Sequence, residues 1–166
     1  MNTFFDNSFN RNIITIYPGE YYVSKGPELI STILGSCVAI VLFDAENEIG
    51  GMNHFMLARK TKNSPESQSP AARFGEFAID ILIKEMEKNG ADRNNFEAKI
   101  FGGSNVFNLP DTNHEQVGTE NIKFAREYLA KLNIPIVAED TGGVPSRKIV
   151  FDPTTFKVLL KRIQPN

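Results

Sequence analysis

The sequence predicts an α+β fold: a single domain in which two amphipathic helices pack on largely antiparallel, mixed β-sheet layers. Three observations predict it. Short β-branched runs bounded by Gly, Pro and Asn fall before, between and after two segments of helical periodicity. The run Cys37–Phe43 (CVAIVLF) is apolar at every position, as in a strand covered on both faces. The 166 residues are 41% hydrophobic and 23% charged, enough to bury a core without staples.

In chain order, Met1–Asn12 (MNTFFDNSFNRN) is rich in Asn and Ser and is expected to be a flexible arm, residues 13–166 forming the domain. Its Phe4, Phe5 and Phe9 could dock on a partner. Ile13–Tyr17 and Tyr21–Ser24 read as short strands around the turn Pro18-Gly19. Glu28–Thr32 reads as a further extended piece. Cys37–Phe43 and Ile49–Leu57 read as strands joined by a turn at Asp44–Asn47. Arg59–Ser69 is a polar loop, its basic start a solvated face. Ser69-Pro70 then opens a helix as N-cap and first helical residue. Phe74, Phe77, Ala78, Ile81, Leu82 and Met86 supply its apolar stripe, and Gly90 its C-cap. Ala98–Phe101 is a strand that ends in Gly102-Gly103. A polar loop with a solvated His114 leads to a helix over Thr119–Leu132, whose stripe is Ile122, Ala125, Leu129 and Leu132. Ile134–Ala138 is a strand, Asp140–Gly143 a turn, and Arg147–Asp152 with Phe156–Lys161 a terminal hairpin.

Composition excludes several functions. A net charge of -2 argues against binding nucleic acid by phosphate neutralisation. One cysteine cannot form an intramolecular disulfide, and two distant histidines make a poor metal site. No secretory signal or membrane-length apolar run is present, which with the free thiol predicts a cytoplasmic protein. Phosphate-loop, HExxH and GxSxG motifs are absent, and Gly102-Gly103 lacks the rest of a dinucleotide fingerprint. No cofactor is implied.

What remains is Cys37 with His54. If Phe43 faces Glu48 across the turn, Cys37 lies directly opposite His54 on one face. A two-residue register shift would leave them diagonal on that face. A one-residue shift, or a bulge at Gly50-Gly51, would separate them. An imidazole beside a thiol can take its proton, let the sulfur attack an acyl carbon, protonate the leaving group and activate water for hydrolysis. Gly35-Ser36 could supply oxyanion-hole amides. From position alone, an inert core thiol is the commoner reading of Cys37.

Five ordered blocks then carry a resemblance: LGSCVAIVLFD (34–44), GGMNHFML (50–57), AKIFGGSNVF (98–107), VGTENIKFAREYL (117–129) and EDTGGVPSRKIVFDPTT (139–155). Together they resemble the chemoreceptor glutamine deamidase family, CheD, over about residues 13–163. The resemblance implies an enzyme that converts glutamines of methyl-accepting chemotaxis receptors to glutamates. It implies Cys37 as nucleophile, His54 as base and a hydroxyl that orients the histidine, at Ser31 with Thr32 beside it. It adds Asn53, Gly102 and Gly103 to Gly35 and Ser36 as oxyanion or cleft candidates. The turns Phe101–Phe107 and Asp140–Gly143 become candidate cleft rims. A CheC-type phosphatase is an implied partner. Glu120 stands where the family often has arginine, and Ser146 replaces a usual small residue. Rival readings are a thiol hydrolase of receptor methyl esters and a non-catalytic adaptor for phosphatase or receptor.

Overall fold

A computed structural model describes residues 1–57, 70–106 and 116–164; side chains are described from residue 74 in the first helix. The expected loop Arg59–Ser69, and His114 with most of its loop, lie outside the described residues. The ten described strands form two five-stranded sheets. The first contains β1 (Asn2–Asp6), β2 (Arg11–Thr15), β4 (Leu29–Leu34), β9 (Ser146–Phe151) and β10 (Val158–Ile163), in that spatial order. The second contains β3 (Tyr21–Ser24), β6 (Ile49–Asn53), β5 (Val38–Asp44), β7 (Phe96–Gly102) and β8 (Ile136–Thr141). Pairing is antiparallel except for β2–β4 and β7–β8, so both sheets are mixed. The helices α1 (Pro70–Lys88) and α2 (Val117–Lys131) pack on the second sheet. The result is an α+β arrangement of three layers: sheet, sheet, helices.

Strand β5 shows why the layers form. All seven of its residues are buried. Val38, Ile40 and Leu42 join Ile79, Leu82, Ile83 and Met86 of α1 and Ile122, Ala125 and Leu129 of α2 in one core. Ala39, Val41 and Phe43 join Ile30, Leu34, Ile149 and Phe151 of the first sheet in a second core. Alternate residues point to opposite faces of a strand, so a continuous apolar run serves two cores.

Two sequence expectations change here. Residues 1–12 were expected to form a flexible arm; Asn2–Asp6 instead pair with Arg11–Thr15 as a hairpin. Phe4 and Phe5 remain exposed on that edge strand. The buried face of α1 is also rotated from the expected stripe. Ile79, Leu82, Ile83 and Met86 are buried, whereas Phe74 and Phe77 are exposed. Gly90 does end the helix, with φ of +102° and a hydrogen bond from the Ala91 amide to Met86 O at 3.0 Å.

The end of β7 abuts the cysteine turn. Gly102 has φ of +104°, and a Cβ there would overlap the Cys37 carbonyl oxygen. Gly142 has φ of +77° with nothing within 4 Å of the same added atom. Both alanine substitutions carry left-handed strain, but only Gly102→Ala adds a clash. Urea unfolding should therefore show Gly102→Ala costing about 1–3 kcal/mol more than Gly142→Ala. Equal costs would mean that the β7 end does not press on the cysteine turn.

Candidate active site

Thr32 and His54 meet between the sheets. Thr32 lies on the inward face of β4 with Ile30 and Leu34, since residues two apart share a face. Its Oγ1 lies 2.7 Å from Ile16 O and 2.7 Å from His54 Nδ1. A carbonyl only accepts, so the single hydroxyl proton goes to Ile16. The proton of the second bond must then come from Nδ1–H. This assigns His54 the Nδ1–H tautomer and leaves Nε2 with a lone pair. Nε2 is buried and has no hydrogen-bond partner among the described residues. The His54 main chain is fixed too: its amide donates to Glu20 O at 3.0 Å and its carbonyl accepts from the Gly19 amide at 2.8 Å.

Burial pulls the His54 imidazole down from 6.5 to about 4, with Glu20 opposing weakly. Burial also pushes the half-buried Cys37 thiol up. Both shifts favour the uncharged forms.

Cys37 and His54 share the inter-sheet face. Cys37 packs against the inter-sheet core, and His54 reaches across it to Thr32. They are diagonal rather than directly opposed. Asp44 pairs with Ile49, Val41 with Met52, and Val38 bridges Phe55, so Ala39 stands across from His54. The register differs by two residues from the expected one because Asp44 belongs to the strand. Its carboxylate accepts from the Asn47 amide and side chain, the Asp92 amide and Asn95 Nδ2, which holds the turn one residue later. Diagonal neighbours on an antiparallel pair lie about 7–8 Å apart, within reach of a long side chain.

Of the two hydroxyls considered, Thr32 is the one bonded to His54. Ser31 points to the other face and donates to Ile149 O at 2.9 Å. Asn53 pins β6 to β5 and α1: its Oδ1 accepts from the Ile40 amide and its Nδ2 donates to Ala78 O. Gly103 is likewise committed, since its amide donates to Cys37 O at 2.8 Å. Gly102 accepts from the Gly142 amide and packs under the same carbonyl. Gly35 and Ser36 do form the turn that presents Cys37. The Ser36 and Cys37 amides donate in none of the loop and turn hydrogen bonds among the described residues.

The two expected rim turns come together beside this turn. Gly142 and Asn105 amides donate to Gly102 O and Gly143 O. Phe107 lies outside the described residues. Arg147, which the sequence reading passed over, locks them: it is buried and donates to Asp140 Oδ1, Ser104 Oγ and Gly142 O, each at 2.7 Å. Asn121 was also missed, although an Asn four residues before Ala125 and eight before Leu129 places a polar side chain on the apolar stripe of α2. A cavity of about 50 Å³ beside α1 touches His54, but Cys37 does not line it, so it is not assigned to an acyl substrate. Among the described residues no group of three or more His, Cys, Asp or Glu could hold a metal, and no helix is long and apolar enough to cross a membrane.

Comparison with known proteins gives one consistent family. Residues 56–162 match the family described as CheD chemotactic sensory transduction. A probable chemoreceptor glutamine deamidase CheD of Methylobacillus flagellatus is 44% identical over 166 residues, covering 98% of this chain and 80% of that protein. The similarly named CheD 1 of Shewanella oneidensis is 40% identical, covering 98% and 78%. That of Thiobacillus denitrificans is 43% identical, covering 98% and 80%. With this identity sustained along nearly its whole length, the chain belongs to the CheD family.

Proposed function

We propose that this chain is a protein-glutamine deamidase that converts chosen glutamines of chemotaxis receptors to glutamates through a thioester at Cys37. The observation that carries the reading is the Thr32–His54 hydrogen bond, which leaves an unpaired Nε2 lone pair on the face that Cys37 shares. The names of the relatives supply the substrate class.

In this reading His54 acts as a general base at the moment of attack. As Cys37 Sγ bonds to the glutamine side-chain carbonyl carbon, its proton passes to Nε2. The Ser36 and Cys37 amides are the donors available to the oxyanion. The imidazolium then protonates the departing nitrogen, which leaves as ammonia. Water enters, gives a proton to Nε2 and attacks the thioester carbon. Collapse releases the glutamate carboxyl, and the sulfur recovers its proton from the imidazolium. Thr32 holds Nδ1–H throughout. The reading takes a CheC-type phosphatase as a partner and the cytoplasm as the working compartment, both inferred from the resemblance alone.

Three measurements test this. Incubation with a receptor cytoplasmic fragment should raise fragment mass by the amide-to-acid difference at each modified glutamine, and Cys37→Ala should abolish the change. Methanol release from methylated receptor would instead indicate an esterase. An unchanged fragment, with the cellular effect surviving in Cys37→Ala, would indicate an adaptor. Second, Thr32→Val should lower kcat by about 10²–10⁴-fold, the usual worth of a positioned base, while Ser31→Ala leaves kcat unchanged; the reverse ranking would reject the tautomer assignment. Third, kcat/KM should fall with acidification only near pH 4, because His54 stays neutral above about 4. An acid limb near 6.5 would show that the free enzyme's imidazole is solvated.

A further inference from the structure

The geometry points to Asn121 of α2 as a positioning residue that sets the spacing between the Cys37 turn and the His54 segment. Its kinetic readout rests on the deamidase reading above. Asn121 is fully buried. Its Nδ2 donates to Ser36 O at 2.8 Å, and its Oδ1 accepts from the Leu57 amide at 2.9 Å. Ser36 immediately precedes Cys37, and Leu57 follows His54 by three residues.

The β5–β6 ladder itself ends just short of these residues. Its last rung is the Val38–Phe55 pair, with amide-to-carbonyl distances of 3.0 and 2.9 Å. Beyond it the two segments have separated, and the Asn121 carboxamide stands between them. A primary carboxamide offers one face that donates and one that accepts, as a peptide group does. It therefore replaces the next rung of the ladder with a rung from a helix.

The cysteine turn is held by three consecutive carbonyls. Gly35 O accepts from the Ser104 amide at 2.9 Å, Ser36 O from Asn121, and Cys37 O from the Gly103 amide at 2.8 Å. Of these three donors only Asn121 also grips the segment that carries His54. Aspartate would keep the bond to the Leu57 amide but present a second acceptor to Ser36 O. Alanine would remove both bonds. A displacement of about 1 Å between nucleophile and base can cost about 10²-fold in rate, so a defect here should appear in turnover rather than in substrate binding.

The test compares Asn121→Asp, Asn121→Ala and Leu129→Ala, the last a cavity in the same helix at a buried apolar side chain that has no hydrogen bond to lose. All are assayed below their unfolding transitions with a receptor fragment. Asn121→Asp should lower kcat by about 10–100-fold with KM nearly unchanged, and Leu129→Ala should lose thermal stability while keeping kcat. Equal kcat losses in the two, or a wild-type kcat in Asn121→Asp, would reduce Asn121 to a core hydrogen bond. Asn121→Ala serves the same comparison if the aspartate variant does not fold. A readout independent of turnover is alkylation of Cys37 by iodoacetamide. Freeing the turn should speed labelling several-fold in either Asn121 variant and leave it unchanged in Leu129→Ala. Unchanged labelling in the Asn121 variants would overturn the inference even if the wild type deamidates no receptor. An inactive wild type with faster labelling in the variants would reject the deamidase reading alone.

Discussion

The hydrogen bond between Thr32 and His54 spans the gap between the two sheets, and the arrangement of the site follows from it. Thr32 belongs to a strand of the first sheet and His54 to the end of a strand in the second. The bond therefore exists only while the sandwich keeps its spacing, which the core of Ile30, Leu34, Val41, Ile149 and Phe151 enforces. Ala39, across from His54 on the same face, is small enough to leave room for the imidazole. A protein interior is too densely packed to spare such room by accident. The inner sheet carries a second load, since helices cover its other face. Through Asn121 and the Gly102–Ser104 segment, α2 and β7 grip the turn that presents Cys37.

Much of this was legible in the residues. The all-apolar run at β5 announced a strand with two covered faces, and the glycine after α1 announced its end. Alternation could not separate Thr32 from Ser31, because Leu29 and Ile33 flank Ser31 as Ile30 and Leu34 flank Thr32; only the second sheet decides which face is the inner one. The register escaped because it depends on what the Asp44 carboxylate binds, and two of its four hydrogen bonds, from Asp92 and Asn95, come from a distant segment. The face of α1 escaped for a related reason. Phe74 and Phe77 offer as good a helical stripe as Ile79 and Ile83, and only the position of the sheet decides between them. Asn121 was hidden because both its partners are main-chain groups, which leave no mark in a sequence, and Arg147 because Asp140, Ser104 and Gly142 converge on it only once the two turns have folded together.

The bias of the site toward uncharged forms bears on the direction of the chemistry. A buried imidazole nitrogen without a partner costs about 1–3 kcal/mol, and a folded protein that holds its histidine down to about 4 refuses a proton that the unfolded chain accepts below 6.5. Stability attributable to His54 is therefore present at neutral pH and lost as pH falls from 6.5 through about 4. The protein tolerates both penalties at one residue. The surroundings that impose them disfavour charge of either sign: they lower His54 and raise Cys37. In the deamidase reading the substrate carboxamide is neutral and can enter such surroundings, whereas the product carboxylate is an ion. The same burial that keeps the base unprotonated at rest thus works against retention of the product carboxylate.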